Sequence, residues 1–175
     1  MQEYTDRMTR LRNEKFLDEF LPHELGRCVR YGRHVSFLLL EPELENKGST
    51  DVLYPLLKKI ANYIRNYTRF VDISIRIGRQ ILIIMVETDI ESAKVVENKL
   101  KNLIEKEKYE ISPAFPHVSV KLRTALGAYP EAGREPVTIL KTLRDRMFGF
   151  GSKLEEESAK QEQLTLGLGD NKNKE

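Results

Sequence analysis

The sequence predicts an α+β sandwich, a mainly antiparallel central sheet flanked by helices. Three observations carry that expectation. Apolar patterns run in the order helix, strand, helix, two β-rich runs, helix, strand, helix. The two adjacent β-rich runs, 70–77 and 81–86, are separated by Gly78-Arg79-Gln80, and such a pair around a tight glycine turn makes an antiparallel hairpin. Helices interleaved with strands usually cover one sheet face, which completes the sandwich.

Residues 13–31 read as the first helix, with Asn13 as N-cap and Phe16, Leu17, Phe20, Leu21, Leu25, Cys28 and Val29 at helical spacing. Pro22 lies inside it, so a kink or break is expected there. Val35 to Leu40 is an apolar run of strand length that should end at Glu41-Pro42. Residues 44–51 read as a loop. A second helix follows, its stripe formed by Leu53, Leu56, Leu57, Ile60, Ala61 and Ile64. After the hairpin, 89–105 reads as a helix with Asp89 near its start, 118–126 as a strand and 136–148 as a last helix. The folded unit is expected to span 1–152, with a charged, disordered tail over 153–175. In that tail Leu164 to Leu168 is the apolar part, and the chain shows no internal repeat.

A chain of 175 residues and 20.3 kDa suits one domain with a real core. With 40% hydrophobic and 32% charged residues it falls among globular rather than disordered sequences. The net charge of +2, with Lys and Arg interspersed among Asp and Glu, argues against a nucleic-acid partner. The single cysteine, Cys28, excludes an internal disulfide and points to a reducing, cytoplasmic setting, with the thiol as a small half-buried side chain. No apolar run approaches the length of a membrane span. His23, His34 and His117 lack metal-ligand spacing. Arg27, Arg30 and Arg33, three apart, read as a solvated helix edge that could also meet an acidic partner.

Several landmarks resemble the GGDEF (diguanylate cyclase) family over roughly residues 6–150. Asp6, Thr9, Leu11 and Asn13 match a D-x-L-T-x-L-x-N lead-in, in which Met8 replaces Leu. Arg30-Tyr31-Gly32-Arg33 and then Ser36 to Leu40 resemble the family's first helix end and first strand. Leu126-Gly127-Ala128-Tyr129-Pro130 is similar to a strand near its end. The resemblance implies a palm-like nucleotidyl-cyclase sandwich and a cytoplasmic bacterial signalling role. It also places the signature turn, Gly-Gly-Asp/Glu-Glu-Phe in the family, on Gly78-Arg79-Gln80-Ile81-Leu82.

Joining two GTP molecules by phosphoryl transfer relies on divalent ions held by hard carboxylate oxygens. The resemblance puts those acids at Glu41, retained but vestigial, and at Ile81, which offers no oxygen. Arg79 stands where a second glycine would let a phosphate approach the backbone. The guanine-binding loop after the first strand is shortened, and the phosphate-binding lysine of the last helix falls on Gly151. No catalytic residue, metal or cofactor is therefore expected. Glu41 and Glu43 share a strand face, yet Pro42 and the lack of further ligands favour two solvated carboxylates.

What survives is an Arg-x-x-Asp pattern, the family's mark of a product-binding site. Arg69-Phe70-Val71-Asp72 stands five residues before Gly78. Arginine can donate twice to guanine O6 and N7, and a carboxylate accepts from guanine N1–H and N2–H. A third cation of the family falls on Lys99, which keeps the charge and loses the fork; Arg65 and Lys101 are nearby without matching the motif. The resemblance thus implies an inactive receptor for cyclic di-GMP, with a protein partner or homodimer. The same Arg-x-x-Asp could instead be an exposed salt bridge of little value. The other readings are a nucleotide-independent scaffold and slow nucleotide hydrolysis at Arg76, Arg79 and Glu41.

Overall fold

A computed structural model describes residues 3–44, 50–114 and 117–149. Among these, the chain forms α1 (Glu14–Tyr31), β1 (Val35–Leu44), α2 (Thr50–Tyr67), β2 (Ile73–Ile77), β3 (Gln80–Val86), α3 (Ile90–Lys106), β4 (Val120–Ala128) and α4 (Pro136–Phe148). The four strands make one antiparallel sheet in the order β2-β3-β1-β4. The hairpin is β2-β3, as the glycine turn predicts.

The helices divide between the faces rather than covering one. On one face, Leu38, Leu40, Ile81, Ile83 and Met85 pack against α2 and α3 through Leu56, Ile60, Ile64, Leu100 and Ile104. On the other, Phe37, Leu39, Leu82 and Ile84 meet α1 and α4 through Leu17, Leu21, Cys28, Ile139 and Leu143. The unbroken run Val35 to Leu40 is the sequence trace of this: a strand buried on both faces shows no polar alternation.

Neither Pro42 nor Pro22 ends its element. Strand β1 continues past Pro42 to Leu44. Its pairing with β3 ends at Leu40 opposite Ile81, while pairing with β4 runs on to Leu44 opposite Val120. Beyond Leu40 no strand among the described residues pairs with that flank, so a missing N–H is tolerated. Helix α1 runs unbroken through Pro22. The proline removes one backbone bond, and the buried row Leu17, Leu21, Leu25 and Cys28 keeps both halves on the sheet. The Cys28 thiol is buried and its pKa raised by that burial, consistent with a packing role.

The lead-in residues all have structural work. Asn13 caps α1, its side chain accepting from the Phe16 amide. Asp6 Oδ1 accepts from the Thr9 amide at 2.8 Å and the Thr9 hydroxyl at 2.6 Å, while Oδ2 pairs with Arg76 at 2.8 Å. Burial pushes the Asp6 carboxyl up, but Thr9 and Arg76 together outweigh it and hold the carboxyl below its ordinary pKa. Leu11 and Thr9 are buried. Arg12 donates to Ser74 O and accepts from the Arg76 amide, so the segment covers the outer edge of β2 that would otherwise lie open.

Gly127 on β4 is set by close packing. A Cβ there would lie 2.7 Å from Ala132 Cβ and 3.2 Å from Leu143 Cδ2. Gly127→Ala is expected to cost about 1–3 kcal/mol by overpacking, read as a lowered thermal midpoint.

Candidate functional site

The signature turn builds a two-residue hairpin loop. Ile77 pairs with Gln80, leaving Gly78 and Arg79 between the strands, with Gly78 at φ 61°. An L side chain is strained in that region, which explains the one glycine kept. Arg76 Nε donates to Gly78 O at 3.0 Å and steadies the loop, and Arg79 is exposed.

Because successive strand residues face opposite sides, Ile81 points away from Glu41. It is fully buried against α2 and α3, and Leu82 is fully buried on the other face. The side chain that meets Glu41 is Gln80, so the position the resemblance gives to the second acid, Ile81, lies on the other face of the sheet. Gln80 Nε2 donates to Glu41 Oε2 at 2.7 Å. Arg144 Nε, from α4, donates to Gln80 Oε1 at 2.9 Å. Glu43, also expected to be solvated, is exposed but held by two bonds from Arg123, at 2.8 and 2.9 Å. A divalent ion needs several hard oxygens. This corner offers one carboxylate, already accepting from an amide, with a guanidinium behind it. The residues do not fit a metal ion, and no acidic or histidine cluster among the described residues does. Gly151 and most of the shortened loop, residues 45–49, lie outside the described residues.

The Arg-x-x-Asp segment is a tight turn joining α2 to β2. The Arg69 amide donates to Asp72 Oδ2 at 3.0 Å, and the Asp72 amide to Arg69 O at 3.0 Å. The exposed-salt-bridge alternative is not what forms: the Asp72 carboxylate binds the Arg69 backbone, while the guanidinium stays exposed. Asp72 Oδ1 is buried with no hydrogen-bond partner, which leaves one acceptor unsatisfied. Burial raises the Asp72 pKa, against a smaller lowering by the Arg69 amide and charge and by the Val86 amide. A carboxyl raised in the fold contributes stability that is full below its unfolded pKa and is lost as pH rises through the folded one. Asp72→Asn is therefore expected to raise the thermal midpoint at pH 7, with the gain vanishing below about pH 3.8.

Arg69 opens onto a cavity of about 370 Å³ between α1 and the ends of β2 and β3, lined also by Phe20, Glu24, Arg27, Ile73 and Glu87. Arg27 is the residue the sequence reading passed over as a solvated edge. Its signal was the spacing of the basic run. Its position needed the packing of α1, where Glu24, 4% exposed, pairs with it at 3.2 Å. Lys99 does not line this cavity. Its ammonium sits 5.5 Å over the ring of Tyr67, at the end of α2, two residues before Arg69. Arg65 donates to Asn62 on its own helix. A larger cleft of about 630 Å³, lined by Lys59, Tyr63, Tyr109 and His117, contains none of the residues the sequence assigns to ligand binding or catalysis.

No family model matches the sequence, and no curated protein matches it. Solved structures do. The GGDEF domain of TpbB (YfiN) from Pseudomonas aeruginosa aligns with a TM-score of 0.74 at 19% identity, over 82% of this chain and 86% of that one. The coiled coil and GGDEF domain of DgcB from Caulobacter crescentus, in complex with c-di-GMP, aligns at 0.73 and 12% identity, over 86% and 81%. The GGDEF domain of FimX from Pseudomonas aeruginosa aligns at 0.69 and 16% identity, over 86% and 95%. The fold is that of a GGDEF domain.

Proposed function

We propose that this chain is a catalytically inactive GGDEF-type signalling domain that receives cyclic di-GMP at the Arg69–Asp72 turn, with residues 1–152 as the working unit and the cytoplasm as its setting. The observation that carries the reading is the exposed Arg69 guanidinium, which opens with Arg27 onto one cavity beside the turn that Asp72 fixes. A guanine presents O6 and N7 for the fork and N–H donors for a carboxylate. Arg27, on the same cavity, supplies a second guanidinium for phosphate. Lys99 of α3 adds a cation over Tyr67, outside the cavity and without bidentate geometry. Support from outside the chain comes from DgcB, a neighbour of the same fold in complex with c-di-GMP. Inactivity rests on the turn: Gln80 and Ile81 bring no carboxylate to Glu41, and Arg79 fills the place of the second glycine.

The test is calorimetric titration of the full chain with cyclic di-GMP, and in parallel with GTP and Mg²⁺. Saturable binding of the dinucleotide, without turnover of GTP, supports the reading. Silence with both ligands would overturn it. The second reading is a nucleotide-independent scaffold, possessing its own observation: Phe70 is fully exposed and Val71 is 56% exposed at the tip of the same turn. The apolar stretch Leu164 to Leu168, which favoured this reading in the sequence, lies outside the described residues. A fold neighbour, the diguanylate cyclase SiaD of Pseudomonas aeruginosa, is in complex with its activator SiaC. Partner capture that persists without nucleotide and is lost on Phe70→Ser would favour the scaffold. No helix among the described residues is long and apolar enough to cross a membrane.

A further inference from the structure

We propose that Arg144 is the resident cation of the Glu41 corner, so that this chain holds with its own side chain the positive charge that the fold's metal chemistry would draw from a divalent ion. The inference concerns the corner alone and stands whether or not the Arg69 turn binds a dinucleotide. Three elements converge there. Glu41 comes from β1, Gln80 from the first position of β3 and Arg144 from the middle of α4.

Gln80 is 8% exposed, and its amide works at both ends: Nε2 donates to Glu41 Oε2 at 2.7 Å and Oε1 accepts from Arg144 Nε at 2.9 Å. Glu41 and Arg144 are themselves half-buried. A carboxylate and a guanidinium so placed each cost desolvation unless compensated. The polarised amide between them provides that compensation, its positive Nε2 end facing the carboxylate and its carbonyl oxygen facing the guanidinium. An incoming divalent ion would have to displace the amide from Glu41 and then lie close to a fixed positive charge.

This differs from the simple loss of one acid. If Gln80 alone excluded the metal, restoring a carboxylate there would recover the site. With Arg144 in place, Gln80→Glu gives the guanidinium a direct carboxylate partner, and that pair leaves no free second ligand.

The experiment is titration of the full chain with terbium(III), followed by luminescence, and with Mn²⁺, followed by calorimetry, each corrected by the matching Glu41→Gln protein. Wild type and Gln80→Glu are expected to show only weak binding that depends on Glu41. Gln80→Glu combined with Arg144→Gln is expected to bind terbium at least ~10-fold more tightly, because two carboxylates are then free and the opposing charge is gone. Gln80→Glu with Arg144→Lys keeps the charge and should remain weak. Equal affinity of the single and the Arg144→Gln double variant would overturn the proposal, as would a folded double variant that binds no better, or tight Mn²⁺ binding by the wild type at Glu41. A thermal-denaturation cycle on Glu41→Gln and Arg144→Gln guards against a folding failure of the combined variants. The two midpoint shifts should be non-additive, since each removes the other's compensating charge. Strict additivity would also overturn it.

Discussion

Arg69→Ala combined with Asp72→Ala is expected to abolish cyclic di-GMP binding while leaving the thermal midpoint within a few degrees of wild type. A hydrogen bond to a charged group contributes about 1.5–3 kcal/mol. Removing the Arg69 fork and the Asp72 acceptor together should therefore cost more than ~100-fold in affinity. The Arg69 side chain is exposed, and Asp72, half-buried, accepts from the Arg69 amide at 3.0 Å, so alanine there removes a carboxylate whose charged form burial already disfavours. The double variant should fold for that reason. Intermediate losses are expected for Arg27→Ala, about 10-fold, and smaller ones for Lys99→Ala, whose effect should shrink with added salt. Retained affinity in the Arg69/Asp72 variant would sink the receptor reading. Retained affinity in Arg27→Ala alone would confine the site to the turn.

Ile81→Glu is expected to lower the thermal midpoint by roughly 10 °C or more. Ile81 is fully buried in the layer between the sheet and α2 and α3. The change removes a packed apolar side chain, worth about 2–5 kcal/mol, and places an unpaired carboxylate among Leu40, Ile83 and their neighbours. A loss of about 4 kcal/mol or more is a large share of the 5–15 kcal/mol that holds a domain together. Gln80→Glu, one residue earlier, faces Glu41 and Arg144 instead and should fold. Circular dichroism melts of the two variants give the comparison directly. Equal stability would mean that the faces of β3 are assigned wrongly.

That contrast marks where the sequence stopped being readable. The type and order of the elements were legible because periodicity and punctuation are local properties: Asn13 and Asp89 as caps, Gly78 at the hairpin, the stripes of α2 and α3. The Arg-x-x-Asp turn and the damaged signature were legible for the same reason, as short motifs in register. Which face each strand residue takes depends on pairing register, and a shift of one position exchanges the faces. Glu41 therefore meets Gln80, while Ile81 turns into the opposite layer. The continuation of β1 through Pro42 followed from the unequal reach of β3 and β4, which no local pattern encodes.

By itself the sequence determined the α+β class, the hairpin, the caps and the retained Arg69 and Asp72. Tertiary structure decided that Asp72 Oδ1 is left without a partner, that Arg27 reaches the same cavity as Arg69, and that Arg144 stands behind Gln80. Each of these joins residues dozens of positions apart or depends on burial. Desolvation and long-range contact are properties of the packed chain, so they appear only once the helices are on the sheet.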